Sequence, residues 1–295
     1  MRLAIFDDQR LGVVEDDLVY DVTDAAPGWG EAWPPVFMLR LIAEWTAVRP
    51  LVEAARSKAQ SRPLASVTLR SPIPYTSNII AAPANYRRHV GELGNRGVAK
   101  VGQSANELGF FLKATSSLIG AGEAIVLPRE TKRRFDHESE LAVIIGREGR
   151  NIRREDAMDY VFGYSCLIDV TMRLEPGAPA EERPTRKSFD TFTPLGPWIV
   201  TADEIDDPQA LDNQLWVNGQ VRHDANTCDM TVGVAALIEL ASSVMTIRPG
   251  DIIASGTPEG VGPIQPGDSV KITLEKVGSM ELPVVEAEHL SPKVF

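Results

Sequence analysis

The sequence predicts an α+β fold dominated by strands. Short β-branched runs recur between Gly- and Pro-containing turns, only two stretches carry helical spacing, and no internal repeat or low-complexity tract is present. Arg2–Phe6, residues 11–14 and Leu18–Asp21 are brief apolar runs expected to form a strand meander. Residues 36–59 have helical periodicity interrupted by Pro50, which lacks a backbone donor and is expected to end or kink the helix. Pro63 and the Pro72-x-Pro74 pair mark a linker. A small N-terminal α/β domain is therefore expected over residues 1–70, and a larger strand-rich domain over 71–295. Strands are expected there at 79–82, 124–127, 141–145, 198–200, 215–217, 251–254 and Ser269–Leu274. One helix intervenes at 232–245, with Asp229 or Thr231 available as its N-cap.

A chain of 295 residues with 43% hydrophobic content can bury a large core. No uncharged apolar run reaches the length needed to span a bilayer, so no membrane role is expected. The start, Met1-Arg2-Leu3-Ala4-Ile5-Phe6-Asp7-Asp8, lacks the apolar region of a secretory signal, and a cytoplasmic location is expected. Cys166 and Cys228 are the two cysteines, and buried thiols are expected rather than a disulfide. A net charge of −11 argues against nucleic-acid binding, but it does not exclude an acidic ligand, because local cations set the field of a pocket.

The chemistry concentrates around Glu138-x-Glu140. Side chains alternate along a strand, so these two carboxylates project to one side. Burying them together unpaired is costly, and a hard divalent cation resolves the conflict. Asp169, at the end of a second apolar run, can supply a third oxygen. Three carboxylates without a nearby Cys or paired His favour Mg²⁺, Mn²⁺ or Ca²⁺ over zinc. The ordinary alternative is a solvated charge pair on an edge strand. His137 points to the opposite strand face and is expected to be structural, while His223 and His289 suggest no role. His89 and Glu92 lie three apart, on one face of a helical turn, where a carboxylate can fix the imidazole tautomer and leave the other nitrogen as a base. A surface pair is again the ordinary alternative.

Five ordered blocks between about residues 78 and 285 resemble the fumarylacetoacetate hydrolase family. They are residues 137–146 (HESELAVIIG), 163–169 (GYSCLID), 187–197 (KSFDTFTPLGP), 216–219 (WVNG) and 250–262 (GDIIASGTPEGVG). The likeness extends to bacterial acylpyruvate hydrolases and 2-hydroxyhepta-2,4-diene-1,7-dioate isomerase-type members. It implies a rolled mixed β-sheet catalytic domain, a homodimer and a role in aromatic compound catabolism. It implies Glu138, Glu140 and Asp169 as ligands of Mg²⁺ or Mn²⁺, with Ca²⁺ an option in crystals. The segment Asn-Tyr-x-x-His-x-x-Glu is similar to the family's lid, whose His and Glu activate water; this assigns His89 and Glu92 to catalysis, and the glycines between 91 and 109 suit a mobile cover. Lys187 and Arg173 match basic residues used around a substrate carboxylate or enolate. Thr257 would donate to a substrate carboxylate, and Tyr86 and Lys113 would face the pocket.

The implied reaction is metal-assisted C–C bond hydrolysis of an acylpyruvate-like or other diketo acid, in which the cation stabilises a developing enolate and activated water attacks the distal carbonyl. The enolate step is shared, so a decarboxylase or isomerase of hydroxymuconate-type 2-oxo acids stays open, as does a non-catalytic small-acid binder. Two departures bear on the substrate. Pro176 stands where the family often has Gln, and only Pro263-Ile264-Gln265-Pro266 separates Gly262 from Gly267-Asp268. An unusual substrate side chain is therefore expected.

Overall fold

The computed structural model describes residues 1–31, 33–89, 91, 105–174 and 182–289. Among these residues the largest element is a 12-stranded mixed sheet. Its path runs Ser61–Pro63, Leu18–Asp21, Arg10–Glu15, Arg2–Phe6, Thr193–Thr201, Val161–Ile168, Ser139–Ile145, Ile252–Ala254, Ile79–Ala81 and Phe111–Lys113. Leu69–Arg70 joins Arg2–Phe6, and Leu118–Ile119 joins Thr193–Thr201. The N-terminal meander is thus continuous with the strands that follow it in space, through Leu3 opposite Ile199. A five-stranded sheet (Gln220–Asn226, Asp212–Val217, Ser269–Leu274, Gly278–Glu286, Ile125–Leu127) and a three-stranded one (Thr171–Met172, Phe135–His137, Gly262–Ile264) complete the β structure.

Ser139–Ile145 is buried at every position because both of its faces meet a core. Leu141, Val143 and Ile145 pack with helix Val234–Val244 and the five-stranded sheet; Ala142 and Ile144 pack on the other side with the helical residues Phe37, Leu41, Val48 and Val52. The hairpin Asp212–Val217/Gln220–Asn226 turns through Asn218 (φ 52°) and Gly219 (φ 76°), the positive-φ pair that Asn-Gly favours.

Three local expectations are corrected. The first helical stretch divides at Glu44, giving Phe37–Ala43 and Trp45–Lys58, and Pro50 lies inside the second helix. Having no N–H, it cannot make the i→i−4 bond to the Thr46 carbonyl. Helix Val234–Val244 is capped by neither Asp229 nor Thr231: Gly233 precedes it, and the Val234 N–H donates to Gln209 Oε1 at 2.6 Å. Both cysteines are free, but Cys228 is exposed and only Cys166 is buried, where burial pushes its thiol up to about 12. Among the described residues no helix is long and apolar enough to cross a membrane.

Candidate active site

Strand pairing assembles the acidic cluster. Ser139 lies opposite Ile168 and Glu140 opposite Leu167, and one step further the Asp169 N–H donates to the Glu138 carbonyl at 2.8 Å. Alternation then turns Glu138 and Glu140 to one side, and the end of the neighbouring strand delivers Asp169 beside them. All three are buried, and each offers an oxygen within 4.8 Å of the others.

Cations surround two of the three. Lys187 Nζ donates to Glu138 Oε2 (2.7 Å), Asp169 Oδ2 (2.5 Å) and Thr171 Oγ1 (2.6 Å). Lys113 Nζ donates to Asp169 Oδ1 and to the Phe192 carbonyl at 2.9 Å. Arg173 reaches Glu138 Oε1 through Nη2 at 2.7 Å. Burial opposes the charge on Glu138, yet Lys187, Arg173 and His89 hold its carboxyl well below the ordinary range. Burial likewise opposes the Lys187 ammonium, which Asp169 and Glu138 keep above its usual value. Lys113 moves the other way, drawn down by burial against the pull of Asp169.

Glu140 differs from its neighbours. Its carboxylate accepts the Gly256 N–H at 2.8 Å, and among the described residues it meets no cation. Burial, then the charges of Asp169 and Glu138, push its carboxyl far up. An all-oxygen donor set with one carboxylate lacking a counter-charge fits a hard divalent cation such as Mg²⁺ or Mn²⁺.

Around this cluster, His89 is 4% exposed and close enough to Glu138 to favour its charge. Its sequence partner Glu92, and Pro176, lie outside the described residues. Tyr86 is wholly buried, and burial raises its phenol, with the Asn213 side chain opposing that rise and the Glu140 charge adding to it. Thr257 is 3% exposed in the loop after strand Ile252–Ala254. That loop is braced by Asn85, whose side-chain amide donates to the Val232 and Ser255 carbonyls and whose Oδ1 accepts from the Val232 N–H, each at 2.8 Å. Gly256 has φ +89°, and a Cβ there would come within 2.6 Å of the Asn85 Cβ, so only glycine lets this backbone approach Glu140.

A second brace is a buried histidine pair. His223 Nδ1 lies 2.8 Å from the Glu259 carbonyl, which can only accept, so Nδ1 carries the proton. Neutral His223 Nε2 must then accept from His137 Nδ1, 3.0 Å away. This leaves His137 Nε2 as a buried lone pair with no partner among the described residues, and burial above all pushes His137 down to about 2. His137 therefore packs as a neutral prop, and His223, to which the sequence suggested no role, fixes the loop that carries Thr257.

The sequence reading also passed over Asp136, Thr171 and the Gly256 N–H. Period two along 136, 138 and 140 was a usable signal for Asp136. Thr171 lies two residues past Asp169 and carries a hydroxyl but no charge, and the Gly256 contact spans 116 residues of sequence with no local trace.

Residues 78–285 match the fumarylacetoacetate (FAA) hydrolase C-terminal family. The chain is 46% identical over 292 residues to a maleylpyruvate hydrolase of Aquipseudomonas alcaligenes, covering 96% of this chain and 99% of that protein. It is similar to the crystal structure of maleylpyruvate hydrolase from Sphingobium sp. SYK-6 in complex with manganese(II) and pyruvate (TM-score 0.86, 45% identity, 98% of this chain and 100% of that one). It is also similar to 2-hydroxyhepta-2,4-diene-1,7-dioate isomerase from Mycobacterium marinum (TM-score 0.72, 30% identity, 98% and 100%). With a family match over most of its length and near-full-length relatives, the chain belongs to the fumarylacetoacetate hydrolase family.

Proposed function

We propose that this protein is a divalent-metal-dependent hydrolase that cleaves a C–C bond of an acylpyruvate, with maleylpyruvate the first substrate to test. The observation that carries the reading is the buried triad Glu138, Glu140 and Asp169, in a chain nearly half identical, end to end, to a maleylpyruvate hydrolase. Bound there, Mg²⁺ or Mn²⁺ supplies Lewis-acid polarisation of the 2-oxo acid. The chain's own groups do the rest. Lys187 and Arg173 offset the negative charge that gathers on the keto-acid portion, and Lys113 supports binding by holding Asp169. Thr257 and Tyr86 offer hydroxyls. His89, oriented by Glu92, takes a proton from the attacking water. The isomerase reading has support in the 30% identical relative, but the hydrolase is the nearer likeness on both identity and TM-score.

On family likeness we further propose a homodimer, a cytoplasmic location and a place in aromatic compound catabolism. The division of the chain near Ser71 is proposed as one of sequence units, supported by the family match beginning at residue 78. A panel of diketo acids, maleylpyruvate included, assayed with Mg²⁺ or Mn²⁺ by loss of the enol ultraviolet band, tests the main reading. Hydrolysis to pyruvate supports it. Isomerised or decarboxylated product, or a binding signal without turnover, overturns it. Sedimentation at micromolar concentration tests the dimer, and a monomer there refutes it.

A further inference from the structure

We infer that Asp136 is a positioning residue that aims Arg173 at the substrate carboxylate. Asp136, in strand Phe135–His137, is fully buried and lies two positions before Glu138, which sits at the junction between that strand and Ser139–Ile145. A buried carboxylate this close to a cluster of three others adds repulsion and has to be compensated. Its compensation is specific. Arg173 Nε donates to Asp136 Oδ2 at 2.6 Å, while Arg173 Nη2 donates to Glu138 Oε1 at 2.7 Å. Arg134 closes the other side, Nε to Oδ1 at 2.6 Å and Nη2 to Oδ2 at 3.1 Å.

The guanidinium is a rigid planar fork. Holding it by Nε and one Nη2 hydrogen fixes both its plane and its rotation. The remaining Nη1 edge makes no hydrogen bond among the described residues, and the side chain keeps 19% of its surface exposed. One edge is thus locked between two carboxylates, and the other is presented with two N–H groups in a fixed direction. Glu138 alone would leave the fork free to pivot about Nη2, and Asp136 removes that freedom. The backbone adds to the lock: Arg173 N–H donates to the Arg134 carbonyl at 2.8 Å, and the Arg173 carbonyl accepts from Arg133 Nη2 at 2.7 Å. Asp136 is bonded to Arg173 and Arg134 and is not one of the three clustered carboxylates, so it acts through Arg173. This rests on the proposed meeting of Arg173 with the substrate's carboxylate.

The test uses the full-length Mn²⁺-loaded protein with pyruvate as the probe. Asp136→Asn should weaken pyruvate about tenfold, the scale of one ionic hydrogen bond, and raise KM more than it lowers kcat. Mn²⁺ affinity, read from free Mn²⁺ by electron paramagnetic resonance without pyruvate, should stay within about threefold, a change smaller than loss of a supporting contact to a ligand usually brings. Arg173→Met should weaken pyruvate by at least as much, and the double variant no further than Arg173→Met alone. If Arg173→Met leaves pyruvate affinity intact, the reading of Arg173 as a substrate contact fails. If Arg173→Met weakens pyruvate while Asp136→Asn does not, or the two effects add, the positioning role alone is overturned. Should Asp136→Asn not fold, Arg173→Lys asks the same question with Asp136 in place. A lysine cannot bridge both carboxylates and still present a directed edge, so pyruvate affinity should fall as in Arg173→Met; retained affinity overturns the inference.

Discussion

Ion pairs on the exposed surface around the N-terminal segment and those beneath the acidic triad use the same side chains to different ends. Arg49 meets Glu53 and Asp203 with every partner 39–52% exposed, and Arg62 meets Asp7 at 46% and 30%. Water screens such pairs, and each contributes little. Around the triad, Lys187, Lys113, Glu138 and Asp169 are at most 7% exposed, and each side chain is held by two or three partners. There the cost of desolvation is large, and the arrangement is tolerable only if every charge is answered. Glu140, paired among the described residues with a backbone N–H alone, is the exception that defines the site. The contrast teaches that density of ion pairs is uninformative, whereas a buried carboxylate left short of a cation points to function.

The contrast is tested most severely at Glu140. Glu140→Ala should lower turnover on the order of 10³-fold or more through loss of cation binding, while circular dichroism stays native because repulsion with Asp169 is relieved. Unchanged turnover would mean that the triad is not the reaction centre. His89→Ala comes next, with turnover down about 10²-fold and pyruvate affinity kept. Intact turnover would instead favour isomerase or decarboxylase chemistry, and collapsed affinity would make His89 a binding group.

A thermal scan against pH sharpens the same point. In the metal-free protein, Glu140 has a raised carboxyl, so above the ordinary carboxyl value the native state holds a proton that the unfolded chain has released. Stability then falls as pH rises through that window. Glu138, with its lowered carboxyl, contributes stability that is lost only on acidification below the ordinary value, so the two windows do not overlap. Mn²⁺ at 100 times its Kd adds about 2.7 kcal/mol, and because it displaces the Glu140 proton, its apparent Kd should tighten as pH rises from 5 to 8. A pH-independent Kd would show that Glu140 is not among the ligands. At the small end, Arg49→Ala should cost less than about 1 kcal/mol by urea denaturation and leave turnover unchanged. A larger loss would erase the distinction between the two regions.

What the sequence revealed follows from the range of the interactions. Alternation along 136–140 and the run ending at Asp169 are local patterns, so the carboxylate cluster could be read directly. The helix break was misplaced because Pro50 is a conspicuous local signal, whereas Glu44, where the chain divides, carries none. The cap on Val234 comes from Gln209, and the brace on the Thr257 loop from Asn85 and His223. Each is a contact between segments far apart in sequence, and nothing in the composition around either partner announces it. Prolines between 63 and 74 mark a change in the chain's course but carry no information on which strand Arg2–Phe6 will join.

That strand gives the N-terminal segment a task beyond packing. Arg2–Phe6 covers Thr193–Thr201 at Ile199 and Val200, and Thr193–Thr201 in turn pairs with Val161–Ile168, the strand that delivers Asp169. Shortening the protein to residues 71–295 would strip this rim and leave a row of unsatisfied amides and carbonyls beside apolar side chains. Such an edge recruits other strands indiscriminately. Truncated preparations should self-associate into insoluble material, so the meander works as a guard against aggregation as much as a part of the enzyme.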